Sequence, residues 1–115
     1  MPTVFVISDD WKLRTAVRAE LLELGIDAQG FESPQQAASV AATAILPDAV
    51  VVDTAHARLD DPKIAPLIRR AGVLFIASGI EPPPAAPPGA VVLRRPVQVS
   101  QIVAHVRQIL AGQLA

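Results

Sequence analysis

Cysteine is absent from this chain of 115 residues, which excludes disulfides, cysteine-ligated zinc and thiol catalysis. The chain also lacks a large excess of charge of one sign, because its ten basic and eleven acidic residues leave a formal charge of -1. No overall field therefore attracts nucleic acid or an anionic membrane. The hydrophobic fraction of 51% is that of a globular protein, and we expect one domain spanning residues 1–115.

Long apolar runs are also missing. None approaches the roughly 18 residues that a membrane-spanning helix needs. The start, Met1-Pro2-Thr3-Val4, has no basic region followed by a signal-peptide core. We therefore expect a soluble, cytoplasmic domain without a membrane partner.

Short apolar runs rich in β-branched residues predict five buried strands, at 3–8, 26–31, 47–53, 73–77 and 90–93. Apolar residues at helical spacing and helix start signals predict four helices, at 11–24, 34–43, 60–72 and 97–111. Asp10 and Ser33 are suited to cap the first two helices, and Gly25 to end the first. Strands and helices thus alternate along the chain.

This alternation predicts an α/β fold with a parallel sheet covered on both faces. The expected architecture is a flavodoxin-like three-layer sandwich with strand order 2-1-3-4-5. The interruption is the segment 81–89, which holds five prolines within residues 82–88. Proline lacks the N–H that a helix needs, so the fourth helix of such a fold should be shortened or lost to an extended loop.

Polar residues end or follow four of the predicted strands: Asp9 and Asp10, Asp53, Ser78, and Arg95. In the expected order the carboxyl ends of these strands are neighbours, about 4.8 Å apart. Three carboxylates this close must share a proton or a cation, and Mg²⁺ suits such oxygen ligands. A carboxylate nucleophile, a metal, a hydroxyl and a fixed positive charge are the parts needed to transfer a phosphoryl group to Asp53. The alternative is structural: Asp10 only caps a helix and Asp53 is an ordinary polar strand end.

The arrangement resembles the receiver domain of bacterial two-component response regulators over essentially the whole chain. The resemblance implies that Asp53 is the phosphoacceptor and that Ser78 is the hydroxyl that follows the phosphoryl group. It also implies that Asp9, Asp10, Asp53 and the backbone carbonyl of Ala55 hold Mg²⁺. The implied partners are a sensor histidine kinase or phosphotransfer protein and a downstream protein.

The sequence departs from this family at several positions. The family's lysine is Arg95, its usual loop residues are absent from Thr54-Ala55-His56-Ala57-Arg58, and its switch aromatic is Val92. Arginine is not a conservative replacement at a crowded site. The departures indicate either an atypical receiver or a pseudo-receiver that acts without phosphorylation. A pseudo-receiver would bind proteins, or would bind a nucleotide through Arg94 and Arg95.

Two rival functions use the same fold. One is a small phosphohydrolase with Asp53 as nucleophile, and the other is a flavin-binding module, which the acidic loop at Asp9 and Asp10 disfavours. We expect no enzyme activity beyond self-phosphorylation and dephosphorylation of Asp53, and no nucleic-acid binding by this domain alone. The shortened region before the fifth strand would expose apolar surface and favour a homodimer or a partner contact.

Overall fold

The computed structural model describes residues 2–43, 46–53, 66, 71–77 and 90–113. Within them lie five strands and three helices: β1 Thr3–Ile7, α1 Trp11–Glu23, β2 Asp27–Phe31, α2 Pro34–Thr43, β3 Ala49–Asp53, β4 Gly72–Ala77, β5 Val91–Arg94 and α3 Val99–Gln113. These elements match the predicted ones to within two residues at each end. Most of the helix predicted over 60–72 and all of the proline segment 81–89 lie outside the described residues; Pro66 is helical, and Gly72, predicted to end that helix, is the first residue of β4.

The five strands form one parallel sheet in the order β2-β1-β3-β4-β5, which confirms the predicted fold class and strand order. The register aligns the carboxyl ends of the central strands. Ile7 of β1 lies opposite Val52 of β3, and Asp53 lies opposite Ile76 of β4. The carboxyl ends of β1, β3 and β5 therefore lie along one edge of the sheet, where ligands collect in open parallel sheets.

Alternate residues of the central strands face opposite sides of the sheet, and both sides are buried. One side packs against α1 and α3 through Val4, Val6, Val51, Leu74 and Ile76 with Val17, Leu21, Ile102 and Val106. The other side includes α2 and is formed by Phe5, Ile7, Val50, Val52, Phe75 and Ala37. Near-continuous apolar runs are what a strand buried on both faces requires. The described helices and sheet therefore make three layers.

The ends of the helices follow their capping residues. Asp10 accepts hydrogen bonds from the first turn of α1, and Gly25 adopts a φ of +78° just after its end, as predicted. Ser33 accepts the N–H of Gln36 at the start of α2. Leu24 follows the last helical residue of α1 and remains 47% exposed. None of the helices in the described ranges is both long and apolar enough to span a bilayer.

Candidate functional site

Asp53 is the only carboxylate among the buried polar residues of the described chain, with 3% of its surface exposed. It is the last residue of β3, which pairs with β1 on one side and β4 on the other. The Val50, Val51 and Val52 side chains before it are fully packed, so the strand delivers a carboxylate to the middle of the sheet edge. A buried carboxylate needs donors to compensate for the lost water.

Ser8 supplies one of these donors from the end of β1. Its hydroxyl donates a hydrogen bond to Oδ2 of Asp53 at 3.0 Å. The Ser8 hydroxyl oxygen also accepts a hydrogen bond from the backbone N–H of Asp10 at 3.1 Å. Ser8 is 3% exposed. Adjacent strands are separated by about 4.8 Å, so even the shortest hydroxyl side chain reaches across. The serine thus joins the Asp53 carboxylate to the start of α1.

Arg95 supplies the second donor from the other direction. Its backbone N–H extends the pairing of β5 by donating to the carbonyl of Ala77 at 2.9 Å. Its side chain crosses β4, a span of roughly 10 Å between β3 and β5, and Nη2 donates to Oδ2 of Asp53. The Arg95 side chain remains 36% exposed, whereas that of Asp53 is 2% exposed. The guanidinium therefore neutralises the buried carboxylate from the solvent side.

Asp10 uses its carboxylate within its own helix. Oδ1 accepts the N–H groups of Lys12 at 3.1 Å and Leu13 at 3.4 Å, which is the geometry of a helix cap. The structural alternative raised from the sequence therefore holds for this oxygen. Asp9, between Ser8 and Asp10, is exposed. Ser8, directly before Asp9, donates its hydroxyl hydrogen bond to Asp53.

Arg14 of α1 holds the main chain at Ser8 in place. Its Nη1 donates to the carbonyl oxygen of Ser8 at 2.7 Å. The stem of Arg14 runs over Gly30 of β2, where an added Cβ would meet Arg14 Cγ at 3.0 Å and Cδ at 3.1 Å. Gly30 therefore leaves the room that the arginine stem occupies. The side chain that orients Ser8 is thus held between α1 and β2.

The predicted magnesium ligands are hard oxygen donors of the kind that Mg²⁺ prefers. Ala55, whose carbonyl was predicted to join them, and Ser78 lie outside the described residues. In the described ranges, no three His, Cys, Asp or Glu side chains come together in a group that could hold a metal ion. Asp53 and Asp10 are oxygen donors of the right chemistry, but Oδ2 of Asp53 already accepts Ser8 and Arg95. Magnesium binding here stays a prediction.

Asp53 and Arg95 were predicted from the sequence to share a site and are in contact in the structure, whereas no role was predicted for Ser8. The available signal was the position of Ser8 as the final residue of the first apolar run, directly beside the two aspartates. Its role depends on how the chain turns after β1. The Asp10 side chain caps α1, and Ser8, two positions earlier, extends its side chain to Asp53 of β3.

No protein-family model matches this sequence, and no curated protein matches it either. Solved structures do match. A response regulator receiver protein from Burkholderia phymatum is 23% identical, with 96% of each chain covered and a TM-score of 0.71. The receiver domain of Francisella response regulator 1452 is 18% identical, with 98% of this chain and 99% of that chain covered and a TM-score of 0.77. The signal receiver domain of a histidine kinase from Syntrophus aciditrophicus is 14% identical, with 97% and 92% covered and a TM-score of 0.78. This chain therefore has the fold of a response regulator receiver domain.

Proposed function

We propose that this chain is a receiver module of two-component signalling and that Asp53 accepts a phosphoryl group from a sensor histidine kinase or a phosphotransfer protein. The observation that carries the proposal is the buried Asp53 carboxylate at the carboxyl end of β3, contacted by Ser8 and by Arg95. A buried, oriented carboxylate beside a fixed positive charge suits attack on phosphorus. The receiver fold supports the same assignment.

The transfer itself requires one bond to form and one to break. A carboxylate oxygen of Asp53 attacks the phosphorus of a phosphohistidine, and the phosphorus–nitrogen bond of the donor breaks. The electron pair stays on the leaving imidazole nitrogen, and the product is an acyl phosphate on Asp53. Arg95 is positioned to offset the negative charge carried by the phosphoryl oxygens, since guanidinium forms charge-assisted hydrogen bonds with phosphate. Ser78 is the further hydroxyl that we propose contacts the phosphoryl group.

Asp9, Asp10, Asp53 and the carbonyl of Ala55 are the groups that would hold Mg²⁺. When bound, the ion would neutralise charge on the transferring phosphoryl group. The chain's own contribution is to orient the carboxylate. Ser8 and Arg95 both hold its Oδ2, so rotation of the Asp53 side chain is restricted before any donor arrives.

The module would act through protein contacts in the cytoplasm. Its partners would be the phosphoryl donor, a downstream protein and, through the region of β5, a second copy of itself. The side chains of Val91, Val92 and Leu93 are only half-buried, which supports a contact near this strand. We propose no reaction beyond phosphorylation and dephosphorylation of Asp53, and no nucleic-acid binding by this domain alone.

The contact between Arg95 and Asp53 also favours a second candidate, a pseudo-receiver that binds partners without phosphorylation. The Arg95 guanidinium is a positive counter-charge for the carboxylate, and it belongs to the chain itself. An acidic residue that is already neutralised within the chain can serve the fold alone. The two candidates differ in one measurable property, which is whether Asp53 takes up a phosphoryl group.

The test is to incubate the purified chain with phosphoramidate and MgCl₂ and to follow phosphoryl uptake by intact-protein mass spectrometry. Phosphoramidate carries the same phosphorus–nitrogen bond as phosphohistidine. We expect the wild-type chain to gain one phosphoryl group and Asp53→Asn to gain none, because an amide is not a nucleophile of this kind. Asp48→Asn, at the other end of the same strand, is the matched control and should behave as wild type.

A wild-type chain that gains no phosphoryl group would reject the phosphoacceptor assignment in favour of the pseudo-receiver. Equal uptake by wild type and Asp53→Asn would also reject it, since the group would then be attached elsewhere. Circular dichroism melting curves of each variant verify that the sheet is intact.

A further inference from the structure

Two kinds of cation can neutralise Asp53: the guanidinium of Arg95 and a divalent metal ion from solution. The contacts around Asp53 favour the guanidinium. Oδ2 of Asp53 accepts one hydrogen bond from a neutral hydroxyl and one from a guanidinium. Both donors belong to this chain, and they come from opposite sides of β3. The charge of the carboxylate is therefore compensated before any ion from solution arrives.

Ser8 is the first half of this arrangement. A serine donates its proton toward Asp53 and adds no charge, whereas a carboxylate at the same position would only accept hydrogen bonds and would repel Asp53. Two carboxylates in contact make a strong site for a divalent ion, because the ion removes their repulsion. The hydroxyl leaves one negative charge at this contact instead of two.

Arg95 is the second half. A divalent ion that coordinates Oδ2 must displace the guanidinium or lie beside it, and two positive groups a few ångströms apart repel each other. The Arg95 side chain is 36% exposed, so it can move toward solvent when it is displaced. Arg95 and a divalent ion thus compete for Asp53.

We infer that Ser8 and Arg95 set the cation preference of this site: the chain's own guanidinium neutralises Asp53, and divalent ions bind weakly until Arg95 is displaced. This inference deepens the proposed function, from which it takes Asp53 as the reactive residue. Arg14, which donates to the Ser8 carbonyl, acts as a positioning residue by keeping the hydroxyl directed at Asp53.

Isothermal titration calorimetry with MgCl₂ and with MnCl₂ tests the inference on the full chain. Arg95→Gln removes the competing charge and keeps most of the side-chain volume, and we expect about tenfold tighter divalent-ion binding. Ser8→Asp adds a second carboxylate beside Asp53 and should tighten binding by about the same factor. The matched controls are Arg94→Gln, with the same change at the neighbouring position, and Ser39→Asp, on an exposed position of α2. Both controls should bind as wild type does.

Unchanged divalent-ion affinity in both Arg95→Gln and Ser8→Asp would overturn the inference, as would equal gains in the two controls. Arg95→Ala is a second variant at the same position if Arg95→Gln unfolds. The phosphoryl-uptake assay separates this result from the proposed function. If the wild type takes up a phosphoryl group but the variants bind divalent ions no more tightly than wild type, only the cation preference is rejected. If the variants bind divalent ions more tightly but no variant and no wild-type chain takes up a phosphoryl group, only the phosphoacceptor assignment is rejected.

Discussion

Asp48 and Asp53 stand at opposite ends of β3, and the two carboxylates have different partners. Asp48 precedes the strand and is exposed. Its Oδ2 accepts the backbone N–H of Thr3 at 2.9 Å, its own N–H donates to the carbonyl of Thr3 at 2.8 Å, and its carbonyl accepts the N–H of Gly72 at 3.1 Å. Asp48 therefore closes the amino ends of β1, β3 and β4 through main-chain groups.

Asp53 ends the same strand, is buried, and has side-chain partners instead. Ser8 lies 45 residues away in sequence and Arg95 lies 42 residues away, yet both contact one oxygen of Asp53. Main-chain partners are available wherever strands pair, whatever the side chains are. Side-chain partners require three separate segments to converge with compatible chemistry, so the carboxyl end of β3 is the end that can bind or react.

Two hydroxyl residues, Thr3 at the start of β1 and Ser8 just after its end, provide the largest expected difference in stability between these ends. Ser8→Ala removes the donor of a buried hydrogen bond to Asp53 and the acceptor of a partly buried one from the Asp10 N–H, and should lower the free energy of unfolding by about 1–3 kcal/mol. Thr3→Val, at the amino end, loses only a long contact of 3.4 Å to Asp27 and should cost less than about 1 kcal/mol. Urea unfolding followed by circular dichroism measures both, and equal losses would contradict the distinction.

Truncation of the Asp48 carboxylate should lower the stability of the chain without affecting the site around Asp53. Asp48→Ala removes the acceptor of the Thr3 N–H, and we expect a loss of about 0.5–1.5 kcal/mol in the free energy of unfolding. Asp48→Asn keeps an acceptor oxygen and should recover most of this loss. Phosphoryl uptake from phosphoramidate should remain at the wild-type level in both variants. Loss of uptake in Asp48→Ala at a temperature where it is folded would mean that the two ends are coupled.

The smallest expected effect concerns the ion pair. Because Arg95 lies on the solvent side of Asp53 and is partly exposed, its truncation lets water reach the carboxylate, and Arg95→Ala should change the free energy of unfolding by no more than about 1 kcal/mol. The change should shrink in about 1 M NaCl, where the screening length falls to about 3 Å. Urea unfolding at low and high salt measures it, with Arg94→Ala as control. A difference that is equally large at both salt concentrations would show that the pair is shielded from solvent.

Much of this fold follows from local patterns in the chain. Valine-rich runs predict strands buried on both faces, and their alternation with helices predicts the parallel order, because right-handed crossovers leave few other arrangements. The caps at Asp10 and Ser33 and the glycine after α1 were also predictable, since each acts within one helical turn. The burial of Asp53 follows from its position as the last residue of a central strand.

The partners of Asp53 were only partly predictable. Arg95 was expected at the same sheet edge as Asp53, but its direct donation to Oδ2 depends on a side chain crossing β4. The contact of Ser8 was not predicted, because the same sequence could have directed Asp9 or Asp10 toward β3. Asp10 satisfies the first turn of α1, and this local demand determines which residue of the segment is left to face the sheet.

Local sequence thus specifies where this chain forms strands and helices, because periodicity and capping act over a few neighbouring residues. It also specifies that acidic and basic groups collect at one edge of the sheet, because parallel strands end together. The choice of Ser8 and Arg95 as the donors to Asp53 arises in the folded chain. A hydrogen bond depends on a few tenths of an ångström between side chains more than 40 positions apart, and no short-range pattern encodes that distance.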